Sequence, residues 1–523
     1  MPAGTAMPAG TAMPAGTAAG ANATAGAPEP DGPRIVAAYP NPAAGGDAGE
    51  HVVVDPAGAR NLTLADGEGA VPVPPAGGPV ALGPDPGATR RLADRRAVAG
   101  DVALSNAGER LRLRRGGRTV DELAYGDAPE AERLTRSGWR PYGFEPRAVA
   151  SVGGANATAF VLPDAPGLPV GTLRSAERRL LLAGYTLASE RVADAAVAAA
   201  RRGVTVRVLV EGAPVGGIGR RQAAVLDRLT RRGVAVRAIG GPRARFRFHH
   251  AKYAVVDDRA LVLTENWKPS GVGGRDNRGW GVRVASPAAA AELADLFARD
   301  FAAHDARPWT AVRRNRSFEG AAAAEGSYPS RFDPERVRPR RVRVLTAPGN
   351  AERAVVGIVD GADRRVAVLG PSLGGLGVPV ARALLRAARR GVRVRVLLSG
   401  AWYAAEGNRR LVDRLNARAG RRDLPLTARI ADPNGRYGTI HAKGLIADDT
   451  VVVGSLNWNN VSARENREVA LALDGGGAAR YYRRAFDADW RGGSGLPPTG
   501  LALAAALAVG VALAYLRRRV RFG

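Results

Sequence analysis

Two copies of one octet, His250-Ala-Lys252-x4-Asp257 and His441-Ala-Lys443-x4-Asp448, stand about 190 residues apart in surroundings that repeat with them. Ahead of the first, Val204-Thr-Val-Arg-Val-Leu-Val210 follows a helix-like stretch from Arg191 to Gly203; ahead of the second, Val392-Arg-Val-Arg-Val-Leu-Leu398 follows Val378 to Gly391. Each reads as an apolar-faced helix, a glycine stop and a buried strand. Behind each octet come an apolar strand and an asparagine-tryptophan pair, Leu261-Val-Leu-Thr264-Glu265-Asn266-Trp267 and Val451-Val-Val-Gly454-Ser455-Leu-Asn457-Trp458. A last match, Arg275-Asp-Asn277-Arg278 against Arg464-Glu-Asn466-Arg467, closes each unit. A repeat of this length is too long for a solenoid. It implies duplicated α/β lobes with pseudo-twofold symmetry, meeting at a shared cleft.

The octets also hold the chain's rare residues. Of 76 basic residues only three are lysine, Lys252, Lys268 and Lys443, and the octets take two of them together with two of the five histidines. In a chain that otherwise uses arginine, a retained lysine marks a need for a compact ammonium in place of a planar fork. Lys268 reads as incidental. His51, His249 and His304 read as ordinary surface or core histidines.

A phosphodiester is anionic and repels nucleophiles, so attack on it needs cations that stay charged near neutrality, which lysines supply. Imidazole is the side chain that serves as neutral nucleophile or charged acid near pH 7, and two are present. With no cysteine, no His-x3-His and no clustered carboxylates, the usual metal-ligand spacings are missing, and neither a metal nor another cofactor is implied.

The doubled His-x-Lys-x4-Asp motif, followed in the second copy by Gly454-Ser455-x-Asn457, resembles the phospholipase D superfamily over about Ala159 to Trp490. The resemblance implies a phosphodiesterase or phosphatidyltransferase in which one histidine attacks phosphorus to give a phosphohistidine. The other protonates the leaving oxygen and then deprotonates water or an alcohol. It implies His250, Lys252, Asp257, His441, Lys443 and Asp448 as the catalytic set. Position makes His250 the nucleophile and His441 the acid and base, with the reverse open. Asp257 and Asp448 are expected as buried carboxylates orienting imidazoles or lysines. Thr264, Asn266, Ser455 and Asn457 are expected to donate to phosphate oxygens, and Glu468 stands where the family often has a glutamate. The first copy departs from the pattern: Leu263 and Thr264 replace Gly-Ser, and Gly279 takes the place matching Glu468. Trp267 and Trp458 read as packing beside a strand end.

The formal charge of +27 favours anionic partners, lipid headgroups or nucleic acid. The expected substrate is a phospholipid, hydrolysed or passed as a phosphatidyl group to an alcohol in the manner of cardiolipin synthesis. A metal-independent nuclease of the same superfamily is the alternative, and a catalytically silent surface module for anionic lipids or polymers is a third reading. The silent reading expects losses among the six octet residues, and none is lost. With both lobes on one chain, a monomer is expected to be catalytically complete.

Outside the repeat, residues 1–30 open on a triple Met-Pro-Ala-Gly-Thr-Ala and read as a disordered low-complexity segment. Across 31–128, short apolar runs such as Arg34 to Tyr39, His51 to Val54 and Arg110 to Leu113 alternate with Gly, Pro and Asp, the pattern of a small immunoglobulin-like β-sandwich. Its opening, Tyr39-Pro-Asn-Pro42 and then Glu50-His-Val-Val-Val-Asp55-Pro56, resembles the lamin-tail domain. Residues 129–158 read as a linker, 159–328 and 329–492 as the lobes. Leu501 to Leu516 is apolar or glycine throughout, and with Gly495 to Gly500 it reaches the roughly 20 residues of a bilayer crossing. Arg517, Arg518, Arg519 and Arg521 follow. The expectation is a transmembrane helix at 495–516 and a basic cytoplasmic tail at 517–523. The lobes would then sit outside, at the cell membrane, with a phospholipid membrane as partner.

Overall fold

The computed structural model describes residues 32–492, except 44–48, 94, 144–146, 242–243, 315, 319 and 321–323. Toward the N-terminus, strands of alternating burial pair into two sheets. One has six strands in the order Gly138–Pro141, Glu132–Thr135, Arg34–Tyr39, His51–Asp55, Val80–Gly83 and Ala97–Ala99; the other runs Ala70–Val73, Leu62–Ala65, Glu109–Arg115, Arg118–Tyr125. In Glu109–Arg115 the period of two is plain: Leu111 and Leu113 are buried between the arginines and pack with Ile35, Val52, Val54 and Leu64. Burying each such side chain contributes about 1.5–3 kcal/mol, and the result is a sandwich. The stretch read as a linker at 129–158 is not one: Glu132–Thr135 and Gly138–Pro141 complete the six-stranded sheet. Polar, arginine-bearing hairpins carry little apolar alternation, so this one is invisible to pattern.

In each lobe seven strands keep one order. In the first it is Ala235–Ile239, Thr205–Glu211, Arg179–Gly184, Tyr253–Val256, Arg259–Leu263, Gly279–Ala285, Asn156–Leu162. In the second it is Leu426–Ile430, Arg393–Leu398, Arg365–Gly370, Gly444–Ala447, Thr450–Gly454, Glu468–Asp474, Arg341–Ala347. The first three strands of each run are parallel and the remainder antiparallel. Crossover helices pack on the sheet. Helix Glu190–Arg201 starts at Ser189, whose hydroxyl accepts from Val192 N at 3.4 Å, buries Val192, Ala193, Ala196 and Val197, and stops before Gly203 at φ 85°. Its counterpart Pro379–Arg389 stops before Gly391 at φ 87°. That left-handed conformation ends a helix and is costly for any residue with a β-carbon.

The lobes are interlocked. Strand Glu335–Val337, which follows the first lobe in the chain, joins the first lobe's sheet beside Asn156–Leu162, while Ala150–Gly153, which precedes it, joins the second lobe's sheet beside Arg341–Ala347. Helices Pro287–Ala302 and Gly476–Arg491 each send one aspartate across. Asp300 of the first lobe pairs with Arg467 of the second at 2.9 Å, and Asp489 of the second with Arg278 of the first at 3.0 Å. All four side chains are buried. Removing one partner of such a pair costs about 3–5 kcal/mol, because the other is left uncompensated.

The expected cell-membrane location does not stand. Among the described residues no helix is long and apolar enough to cross a membrane. The longest helices discussed above, Pro287–Ala302 and Gly476–Arg491, have 16 residues each and carry charges on their exposed faces. The stretch on which the span was read, 495–516, lies outside the described residues, as do 1–30 and the tail 517–523.

Candidate active site

In each lobe the octet leads into a hairpin. His250 and Lys252 lie just ahead of Tyr253–Val256, and His441 and Lys443 just ahead of Gly444–Ala447. A spacing of two in extended chain puts histidine and lysine on one face. Each ammonium folds back: Lys252 Nζ donates to the His250 carbonyl and Lys443 Nζ to the His441 carbonyl, both at 2.6 Å. The main chain then binds each histidine to the opposite lobe. His250 N donates to Arg467 O at 2.9 Å and His441 N to Arg278 O at 3.0 Å. The closing Asn-Arg match of one unit therefore seats the octet of the other.

Side chains cross in the same way. His250 Nδ1 lies 2.9 Å from Glu468 Oε1 of the second lobe, and His441 Nδ1 lies 3.0 Å from Glu265 Oε1 of the first. A carboxylate accepts from Nδ1–H, which fixes the tautomer and leaves the Nε2 lone pair for the cleft. Asn466 Nδ2 donates to Glu468 at 3.2 Å and Asn277 Nδ2 to Glu265 at 2.7 Å; Ser462 also donates to Glu468. Tyr185 covers His250, its ring edge-on at 4.9 Å between centroids, with Lys252 Nζ 5.3 Å from the same ring centre.

The departures in the first copy are compensated in space. Glu265 sits where the second lobe has Leu456, and Gly279 sits where it has Glu468. A β-carbon on Gly279 would overlap Glu265 Cγ, so the glycine makes room for a carboxylate arriving from the neighbouring strand end. The other departure is balanced likewise: Leu263 faces Gly281 across the strand pair, whereas Gly454 faces Ala470.

Burial governs the electrostatics. It pushes both imidazoles down to about 4, against the opposing pull of Glu468 on His250 and of Glu265 on His441. Burial would raise the glutamates, but His441 and Lys443 outweigh it and hold Glu265 near 2, while His250 and Lys252 hold Glu468 below its usual range. Burial also lowers Lys443 to about 8 and Lys252 well below the ordinary lysine value. The free site thus pairs ionised glutamates with neutral, oriented imidazoles beside two lysines held at reduced basicity. An arriving anion raises the proton affinity of every group in it.

Residues 170–301 and 356–490, together just over half of the chain, match the family model described as cardiolipin synthase, PLD-like domain. The chain belongs to the phospholipase D superfamily. Mitochondrial cardiolipin hydrolase of Xenopus tropicalis is 34% identical over 113 residues, which are 21% of this chain and 49% of that protein; the Xenopus laevis protein of that name is 34% identical over 112 residues, 21% and 48%. The chain spans about half the length of the curated relatives it matches. Phosphatidylserine synthase from Haemophilus influenzae Rd KW20 aligns with a TM-score of 0.48 at 11% identity, over 66% of this chain and 86% of that one. None of these matches carries the lamin-tail resemblance of the N-terminal sandwich any further.

Within this superfamily member, one expected role is corrected. Asp257 and Asp448 do not reach the imidazoles. At 3.3 Å per residue the strand carries Asp257 about 16 Å beyond Lys252. There, at φ 54°, it accepts from the backbone N–H groups of Glu177, Arg178 and Arg179 at 2.8–3.3 Å, and Asp448, at φ 47°, accepts from those of Asp363, Arg364 and Arg365 at 2.8–3.4 Å. Both anchor the hairpin turn to the start of a parallel strand. Thr264 and Ser455 tie the neighbouring strand to the site glutamates: Thr264 Oγ1 donates to Glu265 Oε1 at 3.4 Å, and the Ser455 hydroxyl helps hold Glu468 ionised. Thr264 Oγ1 accepts from Trp280 N at 2.9 Å, and Ser455 Oγ accepts from Val469 N at 3.0 Å and donates to Val469 O. Asn266 keeps an unpartnered Oδ1, and Asn457 is half-buried. Trp267 and Trp458 are buried packing residues, bonded to Ala183 O and Leu369 O at 2.8 and 3.0 Å. Sequence reasoning missed Glu265, Tyr185 and the supporting Asn277 and Asn466. The last two lay in the matched Arg-x-Asn-Arg, and the repetition of asparagine there was the available signal.

Proposed function

We propose that the chain is a phosphodiesterase acting on phospholipids through a phosphohistidine. The observation that carries this reading is the reciprocal pair of imidazoles, each held through Nδ1 by a glutamate of the opposite lobe, with a lysine beside each. His250 is the nucleophile: among the described residues its Nε2 has no partner, whereas Lys443 Nζ stands 3.1 Å from the His441 ring nitrogens. The Nε2 lone pair attacks phosphorus, the bond from phosphorus to the alcohol oxygen breaks, and His441, protonated in the bound complex, gives its proton to that oxygen. Water or an alcohol then enters and passes a proton to His441 as its oxygen bonds to phosphorus. The P–N bond breaks and restores neutral His250. Lys252 and Lys443 neutralise the charge that builds on the phosphoryl oxygens.

A phospholipid substrate is supported by the family description and by the name of the curated relatives. Both histidines, both lysines and both glutamates come from one chain, so a monomer is expected to be active. The charge of +27 favours a nuclease as the second reading. The test is to incubate the full-length protein with phosphatidylglycerol and, separately, with single-stranded DNA, quench in alkali and map phosphorylated histidine by mass spectrometry. Modification of His250 from the lipid is the expected result. Modification of His441 would reverse the two roles, and label from DNA alone would give the nuclease reading.

A further inference from the structure

At the end of the first lobe's sheet remote from the cleft, one face gathers arginines that no described residue neutralises. Arg336, Thr158 and Arg283 stand opposite one another on three neighbouring strands, and Arg259, Ala285 and Asn156 form the next row. Side chains directly opposite across a strand pair share a face. A hollow of about 490 Å³ opens over them, lined by Asn156, Thr158, Arg283, Ala285, Arg336 and Arg338. Among the described residues no carboxylate lines it, and Arg283, Arg336 and Arg338 form no ion pair. Arg259 is paired, with Asp257 at 3.4 Å; Glu335, one residue before Arg336, lies on the other face and pairs with Arg484. Arg283 is four residues along its strand from Gly279, which abuts Glu265, so about 13 Å separates the face from the cleft.

The second lobe shows what is missing. Laying the strands of the two lobes together sets Asn156 against Arg341, Thr158 against Arg343 and Ala285 against Asp474. Asp474 accepts from Arg341 Nε at 2.6 Å, from Arg343 Nη2 at 2.7 Å and from the Thr450 hydroxyl at 2.9 Å. The hollow there is lined by three arginines, Arg340, Arg341 and Arg343, and by three carboxylates, Asp448, Asp449 and Asp474. In the first lobe three arginines face none, because alanine holds the acceptor's place. Arg283 carries the consequence: burial, and then the like charges of Arg259 and Arg336, hold it below the ordinary arginine range. Its guanidinium is nonetheless oriented. Nη2 donates to Thr158 Oγ1 at 3.1 Å, and among the described residues its other N–H groups have no partner.

We propose that this face of the first lobe is a binding site for a phosphomonoester, separate from the catalytic cleft. Guanidinium forks match phosphate oxygens in pairs. A monoester carries a charge of about −1.5 to −2 at pH 7, which three arginines without a carboxylate call for more than the single charge of a diester. Arg283 and Arg336 hold the group from either side of Thr158, whose hydroxyl, already accepting from Arg283, keeps its own hydrogen to donate. Arg338 and the Asn156 amide close the hollow. The bound phosphate then does in the first lobe what Asp474 does in the second. The same group occurs on a soluble ester and on a phosphatidic acid headgroup, and the site does not depend on the chemistry of the cleft.

The test is arginine footprinting of the full-length protein: phenylglyoxal modification of Arg336 and Arg338, both exposed, is mapped by mass spectrometry at constant ionic strength. The probes are glycerol phosphate, phosphatidylcholine vesicles with and without phosphatidic acid, and a single-stranded DNA oligonucleotide. Protection by glycerol phosphate gives a soluble ester as the ligand, and protection by the phosphatidic acid vesicles alone gives a lipid headgroup. Arg283→Gln and Arg336→Gln, read at Arg338, should each raise the half-protecting concentration about tenfold or more, the effect of losing a charge-assisted hydrogen bond. Ala285→Asp, which copies the second lobe, should do the same without lowering the melting temperature of the free protein. Absence of protection by both phosphomonoester probes, or protection that survives all three substitutions, would overturn the site. Protection by DNA alone would overturn it too and give the face to nucleic acid. Occupancy of the cleft leaves these arginines open to the reagent, so the result stands apart from whether the cleft cleaves a phosphodiester.

Discussion

Glu265 of the first lobe holds His441 of the second, Oε1 to Nδ1 at 3.0 Å, from a position where the second lobe has the buried apolar Leu456. The partner of His250, Glu468, comes from a different strand. Equivalent imidazoles are therefore oriented by carboxylates rooted at non-equivalent places, and only the oxygen position is kept.

The first prediction follows from that relocation. Glu265→Leu should lower kcat on the order of a hundredfold, since an imidazole without its carboxylate loses tautomer and orientation. Gly279→Glu alone should lower the melting temperature, because its side chain must share space with Glu265. The double variant Glu265→Leu/Gly279→Glu restores the second-lobe arrangement and should recover about tenfold of the loss. A double variant no faster than Glu265→Leu would refute the exchange.

Asp257 and Asp448 should separate stability from rate. Each accepts from three main-chain N–H groups at a hairpin turn. Asp257→Ala or Asp448→Ala should cost about 1–3 kcal/mol in denaturant unfolding with kcat changed less than about threefold. A hundredfold fall in kcat with unchanged unfolding would return these aspartates to the catalytic set.

His250→Ala and His441→Ala should each abolish turnover, and the double variant should be little worse than either, because residues that act as one unit are not additive. The measurement is single-turnover rate at saturating lipid. Substantial activity in one single variant would mean two independent sites.

The pH profile of kcat/KM reports the free enzyme. A neutral nucleophile and a protonated acid are needed together, and His250 and His441 are both lowered to about 4, so kcat/KM should fall below that pH as a proton occupies His250 Nε2 and decline above it as His441 loses its proton. Lys443 must be charged, and burial lowers it to about 8, so the alkaline limb should fall no later than about pH 8. Stability carries a matching sign. Histidines depressed from 6.5 bind protons in the unfolded chain that the folded chain refuses, so their contribution is full above about 6.5 and is lost as pH falls toward 4. An alkaline limb near 10, at the ordinary lysine value, would contradict the buried-lysine site.

Sequence alone determined the duplicated lobes, the β-sandwich ahead of them, the superfamily and the histidine-lysine pairs, because all of these rest on local periodicity. Alternation with period two writes a strand, a glycine stop ends a helix, and residues two apart in extended chain share a face. Which carboxylate serves which imidazole was decided only by the tertiary structure. The His441–Glu265 and His250–Glu468 bonds span 176 and 218 residues, and both cross from one lobe to the other. Asp257 looked catalytic for the same reason: its fixed spacing from His250 belongs to one rigid strand, and the length of that strand is what carries it away from the chemistry. Local pattern encodes faces and turns, whereas a site built between two lobes depends on how their surfaces dock, and docking is set by buried pairs such as Arg278–Asp489 whose partners no short-range rule connects.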